Sequence, residues 1–340
     1  MSREGRKVTV LFGERDRVAG RFLAERVIDE FERAGMPAAI LMRGVEGFGS
    51  KQRLRTDRLL TLSEDLPIVA VGAGEAAAAD EAASRIGSLR FDGLVTTERI
   101  LVAAGGDIAA IDSDGRSKLS AYVGRSRRID GQPAHRWLVE RLRGAGAEGA
   151  SVLLGVDGVL GGRRRRAGFL SRNVDVPALV VSVGRPEVLA AVAGDFGRLS
   201  PDAVVTLERA HVCKRDGGPL APPPPVAPPA DGGMWRKLTL YASEQDRGGE
   251  GPVHVAAVRR LREAGAAGAT ALRGVWGFDG DRPPHGDSLR SLRRAVPTLT
   301  VVIDEPAAGE RWLEILGELT PERGLITSEL VPAIRPARAG

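Results

Sequence analysis

One pattern occurs three times along this sequence and limits what the chain can fold into. Each copy opens with a lysine that begins an apolar run, and a glycine follows 37 positions later: Lys7 and Gly44, Lys118 and Gly155, Lys237 and Gly274. A Thr-x-Glu motif closes each copy and ends in Glu98, Glu208 and Glu329. Self-similarity at a fixed period indicates repeated structural units. The sequence therefore predicts three related units, over residues 7–102, 118–213 and 237–332.

Strand and helix signals follow one another in the same order within each unit. In the first unit, residues 7–12 alternate and are rich in β-branched side chains, and residues 38–42, 66–71 and 94–102 are predicted as further strands. An apolar stripe at helical spacing ends at Gly35, and residues 75–86 are alanine-rich. The order β-α-β-β-α-β predicts an α+β fold, with two helices on one face of a four-stranded antiparallel sheet. The three bare sheet faces are expected to pack together as an intramolecular pseudo-trimer, so that one monomeric chain acts as a trimer.

Two segments of different composition separate the units. Residues 104–117 are rich in Ala, Gly and Asp, and residues 214–234 contain a proline-rich run that should be extended. The predicted organisation is listed in chain order: repeat 1 over 1–103, a linker over 104–117, repeat 2 over 118–213, a linker over 214–234, and repeat 3 over 235–335.

Composition argues against several classes of partner. The net charge is +5, but 49 basic and 44 acidic residues are mixed along the chain, as on a solvated surface. With 4 Trp, 2 Tyr and 8 Phe, few side chains could stack on single-stranded nucleic acid. No apolar run approaches the roughly 20 residues of a bilayer span, and Cys213 is a single cysteine. We therefore expect a cytoplasmic protein with no nucleic-acid partner and no membrane insertion.

The loop after the second predicted strand is the candidate ligand site. Its glycines would let backbone N–H groups approach an anion, and its arginines would bind phosphate in a bidentate manner. The candidate residues are Arg43, Gly44, Gly47, Phe48, Arg53, Arg55 and Arg58 in repeat 1, Arg163 and Arg166 in repeat 2, and Arg273, Gly274, Gly277 and His285 in repeat 3. The alternative is that the glycines only serve tight turns and the arginines are solvated.

The four-arginine run at 163–166 has three interpretations: a solvated loop, an anion site in the adjacent cleft, or contact with an acidic partner or nucleic acid. The repeated Glu98, Glu208 and Glu329 are expected to pair with arginines of a neighbouring unit rather than to act as catalytic acids. Trp276 replaces the acid of the first loop and is expected to pack against a neighbour.

No catalytic residue, metal site or cofactor is predicted. The four histidines, His135, His211, His254 and His285, are interpreted as lying at unrelated positions of the repeat, and no Cys or His pair has the spacing of metal ligands. The sequence has neither a G-x-S-x-G motif nor a P-loop. We therefore expect a protein that is not an enzyme.

Several runs in repeat 1 resemble those of a known family. They are the opening V-T-V-L-F-G-E-x-D-R, the loop G-V-E-G-F-G with R-L-L-T-L-S-E-D-L-P-I-V, and the closing L-V-T-T-E. Together they resemble the domain-of-unknown-function 190 (DUF190) family, a branch of the PII-like superfamily, and repeats 2 and 3 match more loosely. The resemblance implies ferredoxin-like units in a trimer that bind small ligands, most often adenine nucleotides, between neighbouring units. It also implies a regulator whose mobile loop between strands two and three contacts a protein partner.

This sequence departs from the family pattern in ways that make the three clefts inequivalent. Where the family usually carries the histidine of an H-T pair, counting from the first loop glycine gives Arg55, Arg166 and His285. Val159 replaces the aromatic residue of the loop in repeat 2, and Pro283-Pro284 stiffens the loop of repeat 3.

Three functional interpretations follow from the sequence. The first is a regulator that binds ATP, ADP, AMP or a cyclic nucleotide in one or two clefts and signals through its loops. The second is a structural or protein-binding scaffold that has lost its ligand sites. The third is nucleotide hydrolysis in a cleft.

Overall fold

Three repeats of mixed α/β structure, with mostly antiparallel strand pairing, make up the chain. The computed structural model describes residues 2–57, 65–111, 115–166, 176–223, 233–249, 251–286, 296–320 and 322–337. The same succession of long strands and helices recurs in each repeat, as the sequence predicts.

The elements are numbered in chain order. Repeat 1 contains β1 (Arg3–Gly13), β2 (Arg17–Val18), β3 (Arg21–Phe22), α1 (Leu23–Arg33), β4 (Ala38–Arg43), β5 (Glu46–Phe48), β6 (Arg55–Thr56), β7 (Pro67–Glu75), α2 (Ala76–Gly87) and β8 (Leu94–Ala104). Repeat 2 contains β9 (Arg116–Gly124), β10 (Arg128–Ile129), β11 (Gln132–Pro133), α3 (Ala134–Gly144), β12 (Gly149–Leu154), β13 (Asp157–Leu160), β14 (Arg163–Arg166), β15 (Pro177–Gly184), α4 (Pro186–Leu199) and β16 (Val204–Arg215), followed by β17 (Gly218–Pro219). Repeat 3 contains β18 (Met234–Ser243), α5 (Val253–Glu263), β19 (Ala269–Arg273), β20 (Trp276–Asp279), β21 (His285–Gly286), β22 (Pro297–Asp304), a 3-10 turn (Pro306–Ala308), α6 (Gly309–Glu318) and β23 (Leu325–Ile334).

Within a repeat, four long strands form an antiparallel sheet. In repeat 1, β1 lies in the middle and pairs with β7 and β8, and β7 also pairs with β4. The same pairings recur among β9, β12, β15 and β16 and among β18, β19, β22 and β23. The apolar stripe of α1 packs with α2 against Val8 and Val10, which alternate along β1 with residues of the other face.

The three repeats contact one another in a closed ring. The short strand after the loop glycine crosses to the second strand of a neighbour: β5 pairs with β19, β20 with β12, and β13 with β4. The last strands also pair across repeats, β8 with β16, β16 with β23, and β23 with β8. One apolar cluster draws on all three sheets, with Val71, Val181 and Leu299 among its members.

A buried cluster of charges lies where the three sheets meet. We call it the Lys–Glu cluster; its members are Lys7, Lys118, Lys237, Glu98, Glu208 and Glu329, and their side chains are 3–9% exposed. Lys7 Nζ lies 3.0 Å from Glu98 and 2.5 Å from Glu208 of repeat 2. Lys118 Nζ lies 3.2 Å from Glu208 and 2.8 Å from Glu329 of repeat 3. Lys237 Nζ lies 2.7 Å from Glu98 of repeat 1, so ion pairs link all three repeats.

The expectation of arginine partners for the repeated glutamates was therefore wrong, because the lysines that open the repeats take that place. In each sheet the lysine lies directly opposite the glutamate in the ladder, as Lys7 does opposite Glu98. Burial alone would raise the pKa of the Glu98 carboxyl, but the charges of Lys237, Lys7 and Lys118 outweigh it and hold the pKa below its ordinary value.

Strand pairing extends into both segments that the sequence suggested as linkers. Strand β8 runs to Ala104 because its end pairs with β16, and β16 runs to Arg215 because its end pairs with β23. Strand β9 already begins at Arg116. Residues 112–114 of the first segment and 224–232 of the proline-rich segment lie outside the described residues.

Two of the histidines occupy equivalent positions, which corrects the interpretation that all four are unrelated. His135 is the second residue of α3 and His254 the second residue of α5, and both are buried. Burial, together with the charges of Arg136 and Arg125, lowers the pKa of His135 to about 4. The folded state therefore favours the neutral form of the His135 imidazole over the charged form.

Breaking the Lys–Glu cluster should strongly destabilise the chain. Glu208→Gln keeps the side-chain shape but removes the charge shared by Lys7 and Lys118. Removing one partner of a buried ion pair costs about 3–5 kcal/mol, which equilibrium urea unfolding would measure. The control Glu4→Gln changes an exposed residue of β1 and should alter stability by less than about 0.5 kcal/mol. A loss of under about 1 kcal/mol in Glu208→Gln would contradict the structural role of the cluster.

His135 should make stability depend on pH in mildly acidic solution. Its pKa is lowered from 6.5 to about 4 in the folded chain, so its contribution is present above pH 6.5 and is lost as the pH falls toward 4. The free energy of unfolding should fall by roughly 2 kcal/mol between pH 7 and pH 5 on this account. His135→Leu should flatten that slope in urea titrations, whereas His211→Leu, at a partly exposed position, should keep it. An unchanged slope in His135→Leu would rule His135 out as its source.

Candidate functional site

An open cleft, which we call cleft A, lies between repeats 1 and 3 and has a volume of about 230 Å³. Strand β5 pairs with β19 and so carries Phe48 to the edge of repeat 3. Apolar side chains line the inside of the cleft, namely Phe12, Phe48, Trp235, Val301 and Ile303, and basic side chains stand around it, namely Lys51, Arg53, Arg55 and Arg335.

Arg55 is held in place by its own repeat. It lies opposite Gly47 in the β5–β6 hairpin, and its guanidinium is 3.0 Å from the Asp65 carboxylate. The guanidinium also packs on Gly13, where a Cβ atom would stand 2.7 Å from its nitrogens. A side chain at position 13 would therefore displace the Arg55 guanidinium from this place. The side chain of Arg55 is 22% exposed, so it can still reach a ligand in the cleft.

Acidic groups balance part of the positive charge of cleft A. Asp16 accepts a hydrogen bond of 2.7 Å from the Gly13 amide. Burial raises the pKa of Asp16 against the opposing effects of that hydrogen bond and of Arg55. Asp92 accepts a hydrogen bond of 2.6 Å from Ser50 and lies 3.3 Å from Lys51 Nζ.

An aromatic wall completes the cleft on the side of repeat 3. Trp235 is buried, and the Arg335 guanidinium carbon lies 4.5 Å from its ring centre, in cation–π contact. A concave, mostly apolar surface with a few charged groups is the usual form of a small-molecule site. Cleft A therefore suits a ligand with a flat apolar part and an anionic part. Across the described part of the chain, no three His, Cys, Asp or Glu side chains come together as a metal site would require.

The equivalent cleft between repeats 3 and 2, cleft B, is smaller, with a volume of about 40 Å³. Phe278, Asp279 and His285 of repeat 3 line it together with Glu148 and Arg215 of repeat 2. Arg282, on the segment that joins β20 to β21, lies 3.3 Å from Asp279 and 3.4 Å from Asp246. Burial raises the pKa of Asp279, with Arg282 acting in the opposite direction.

At junction C, between repeats 2 and 1, the place that corresponds to cleft A is packed, whereas an open groove of about 470 Å³ lined by Arg43, Asp157 and Arg166 lies elsewhere at this junction. Leu160 stands where cleft A has Gly49, and it belongs to one buried apolar cluster with Ala38, Val71 and Tyr122. The β13–β14 hairpin turns tightly through Gly161 and Gly162, which have φ angles of 61° and 72°. At its outer end Arg166 lies 2.8 Å from Glu25, and Arg164 pairs with Asp29. Arg164 and Arg166 of the four-arginine run therefore bind acidic groups of repeat 1.

The short turn also corrects the alignment of repeat 2. Arg55 lies opposite Gly47 and His285 lies opposite Gly277, but the residue opposite Gly158 is Arg165. Counting eleven positions from the first glycine selected Arg166, which is one residue too far. The count fails because the hairpin of repeat 2 needs fewer residues to turn.

The structure separates the predicted ligand residues into two groups. Phe48, Arg53 and Arg55 line cleft A, and His285 lines cleft B. Arg43 instead pairs with Glu14 at 2.9 Å, and its counterpart Arg273 pairs with Glu244 at 2.9 Å. Arg163 is exposed at the start of β14, and Arg58 lies outside the described residues. Arg163, Arg43 and Arg273 are therefore not among the residues that line cleft A, and Arg43 instead lines the open groove at junction C together with Arg166.

The repeated spacing of the loop glycines reflects close backbone packing. The Gly44 amide donates to Pro67 O at 2.7 Å and the Gly274 amide to Pro297 O at 2.8 Å, so these amides are already used. Gly47 and Gly277 lie in the ladders that join neighbouring repeats. Their role as anion ligands stays a prediction, whereas their packing role follows directly from the contacts.

Sequence reasoning missed several residues of cleft A. Asp16, Trp235 and Arg335 come from the first turn of repeat 1 and from the two ends of repeat 3. Only the order of the repeats around the ring brings them together. A signal for Trp235 was present, since it lies two positions before Lys237 on the strand that opens repeat 3.

Gly47 and Gly49 offer a matched test of the junction at cleft A. A Cβ atom at Gly47 would lie 2.7 Å from Ala269 O of repeat 3, whereas one at Gly49 would have no heavy atom within 4 Å. Gly47→Ala should therefore lower the free energy of unfolding by about 1–3 kcal/mol, and Gly49→Ala should be nearly neutral. Equal urea midpoints for the two variants would show that the ladder tolerates the added methyl group.

Comparison with known proteins agrees with the three-fold pattern. The model of the DUF190 family, described as "Uncharacterized ACR", matches residues 5–102, 116–212 and 235–333. A curated relative, the UPF0166 protein of Aquifex aeolicus (strain VF5), is 33% identical over 101 residues, which cover 29% of this chain and 93% of the relative. No helix in the described ranges is long and apolar enough to cross a bilayer. The chain belongs to the DUF190 family and carries three tandem copies of its domain.

Proposed function

We propose that this chain is a PII-like regulatory protein that binds an adenine nucleotide, or a related small anionic metabolite, in cleft A. The observation that carries the proposal is the combination of an apolar, aromatic interior with Lys51, Arg53 and Arg55 on one short segment. The apolar part would hold a base, and the guanidinium groups would hold phosphate. The candidate ligands are ATP, ADP, AMP and cyclic nucleotides.

We further propose that each repeat is a ferredoxin-like unit and that the three repeats form an intramolecular pseudo-trimer. The central position of the first strand, flanked by the third and fourth, is the strand order of a ferredoxin-like unit, and the closed ring of pairings supports an intramolecular pseudo-trimer. A monomeric chain would then supply the inter-subunit clefts that PII-like trimers form from separate chains. Light scattering tests this: a mass near three chains would contradict it.

Signalling would depend on the loop between β5 and β7. Three basic side chains of cleft A, those of Lys51, Arg53 and Arg55, lie on this loop, so a ligand that contacts them would favour one loop arrangement over another. The loop would then present a different surface to a protein partner in the cytoplasm. Residues 58–64 of the loop lie outside the described residues. In this proposal the protein binds its ligand without turning it over, so product release on prolonged incubation with ATP would argue for an enzyme instead.

A second candidate function has an observation of its own. At junction C, Leu160 fills the place that corresponds to cleft A, and Arg164 and Arg166 form ion pairs with repeat 1. Such closure is what a scaffold that has lost its ligand sites would show. If all three junctions work in this way, the protein binds partners without a small ligand.

The two candidates differ in how the chain responds to nucleotides. Thermal-shift and calorimetric titrations with ATP, ADP, AMP and cyclic mono- and dinucleotides should find a selective ligand, and one at 100 times its Kd should stabilise the chain by about 2.7 kcal/mol. Arg53→Ala with Arg55→Ala should weaken binding by roughly 10- to 100-fold, because charge-assisted contacts are lost. Adding Arg58→Ala tests the remaining predicted arginine.

Matched variants identify the cleft that is used. Arg163→Ala changes an arginine on β14, away from cleft A, and should leave nucleotide affinity unchanged. His285 lines cleft B, so a change of nucleotide affinity in His285→Ala would indicate binding in that cleft. Failure of every nucleotide to shift the melting temperature would favour the scaffold.

A further inference from the structure

At each of the three junctions, the segment after the second strand lies against the first helix of the neighbouring repeat. The β13–β14 hairpin of repeat 2 lies on α1, β5 of repeat 1 lies on α5, and β20 of repeat 3 lies on α3. The three helices present side chains at matching positions of the repeat, but these side chains differ in charge. The positions are Glu25, Asp29 and Glu32 in α1, Arg136, Glu140 and Arg143 in α3, and Val255, Arg259 and Arg262 in α5.

The acidic helix receives the basic hairpin. Arg164 pairs with Asp29 through its guanidinium, and its backbone amide donates to Glu32 Oε1 at 3.0 Å. Arg166 lies 2.8 Å from Glu25. All three acidic positions of α1 are therefore in contact with the hairpin of repeat 2.

The basic helix receives an acidic residue. Glu46 of repeat 1 is 1% exposed, and its Oε1 lies 3.7 Å from the Nε atom of Arg259 in α5. Arg259 occupies the helix position that Asp29 occupies in α1. The helix residue thus has the opposite charge at the two junctions. Asp157, which occupies the loop position of Glu46 in repeat 2, is also acidic, and Arg164 pairs with both Asp157, at 2.6 Å, and Asp29.

The mixed helix receives an aromatic residue. Trp276 stands at the loop position of Glu46 and Asp157, and the guanidinium of Arg136 lies 4.4 Å from its ring centre. Arg143 donates to Asp281 O at 3.4 Å. The contact that sequence reasoning expected of Trp276 is therefore a cation–π contact with α3.

We propose that these three contacts select the neighbour of each repeat, so that the repeats close in one cyclic order only. Three repeats allow two cyclic orders. In the opposite order Glu46 would meet Glu140, Arg164 would meet Arg259, and Trp276 would lose Arg136 and meet Glu25. Like charges at a closed interface exclude the wrong partner, which is how specific interfaces discriminate.

The same contacts prevent repeat 1 from docking on a copy of itself. Asp29 occupies in α1 the position that Arg259 occupies in α5. A second copy of repeat 1 docked on α1 would therefore place its Glu46 against an acidic helix. The α1 face accepts the acidic Asp157 of repeat 2 because Arg164 pairs with both carboxylates. It would reject Glu46 of a second repeat 1, whose hairpin has Leu54 at the position of Arg164. This inference does not depend on the proposed ligand.

Charge reversals in the full-length chain test the proposal. Asp29→Arg and Glu46→Arg each place like charges at one junction and should lower the thermal midpoint by roughly 5 °C or more. The compensating pairs should recover at least half of each loss. They are Asp29→Arg with Arg164→Leu, which lets the new arginine face Asp157 as Arg259 faces Glu46, and Glu46→Arg with Arg259→Glu. Glu140→Arg is the matched control, because Glu140 accepts its hydrogen bond from Gln132 of its own repeat.

A crossed variant separates neighbour selection from net charge. The crossed variant combines Asp29→Arg with Arg259→Glu and leaves the net charge unchanged. It places an arginine opposite Arg164 and a glutamate opposite Glu46, so its thermal midpoint should fall by more than that of either single variant. Adding Arg164→Leu and Glu46→Arg should restore the midpoint. If the crossed variant does not fold, the variant with all four substitutions should still fold, and its folding is then the test. Compensating pairs no better than the single variants, or a crossed variant as stable as the parent chain, would overturn the proposal.

Discussion

The Lys–Glu cluster is the interaction on which the rest of the structure depends. Each repeat brings one lysine and one glutamate to the same place, and burial of these charges is tolerated only because each has an opposite charge beside it. Lys118 illustrates the mutual dependence, since one of its two carboxylate partners belongs to another repeat. A repeat that folded alone would leave these groups without their partners from the neighbours. The cluster thus joins the three sheets by ion pairs at the place where they meet.

Around this shared centre, the three junctions have the same backbone pairing but different side chains. Cleft A keeps an open space because Gly49 stands at its mouth, whereas Leu160 fills the same position at junction C. Cleft B lies between these extremes, with Arg282 placed between Asp279 and Asp246. The backbone therefore provides the positions of three potential sites, and the side chains decide which of them could admit a ligand. This division explains why the proposed function concerns one cleft.

Much of the fold could be predicted from the sequence, because periodic patterns report local structure. The lysine-to-glycine spacing revealed three repeats, and alternation along β1 and the stripe of α1 revealed strand and helix. Contacts between repeats were harder to predict, since nothing near Glu98 in the sequence identifies Lys237 as a partner. Counting residues also misplaced Arg166, because the two-glycine turn shortens its hairpin. For the candidate site, Arg53 and Arg55 were found, but Asp16 and Trp235 were not, since they reach cleft A only through the ring.

The filling of junction C by Leu160 has an evolutionary consequence. In an assembly of three identical chains, a leucine at that position would appear at every interface and close all three clefts at once. In a single chain the same mutation occurs once, and the other two clefts keep their shape. Tandem duplication thereby frees each interface to acquire mutations separately, so that one can become purely structural while another retains its opening. The chain can specialise its interfaces in a way that a symmetric trimer cannot.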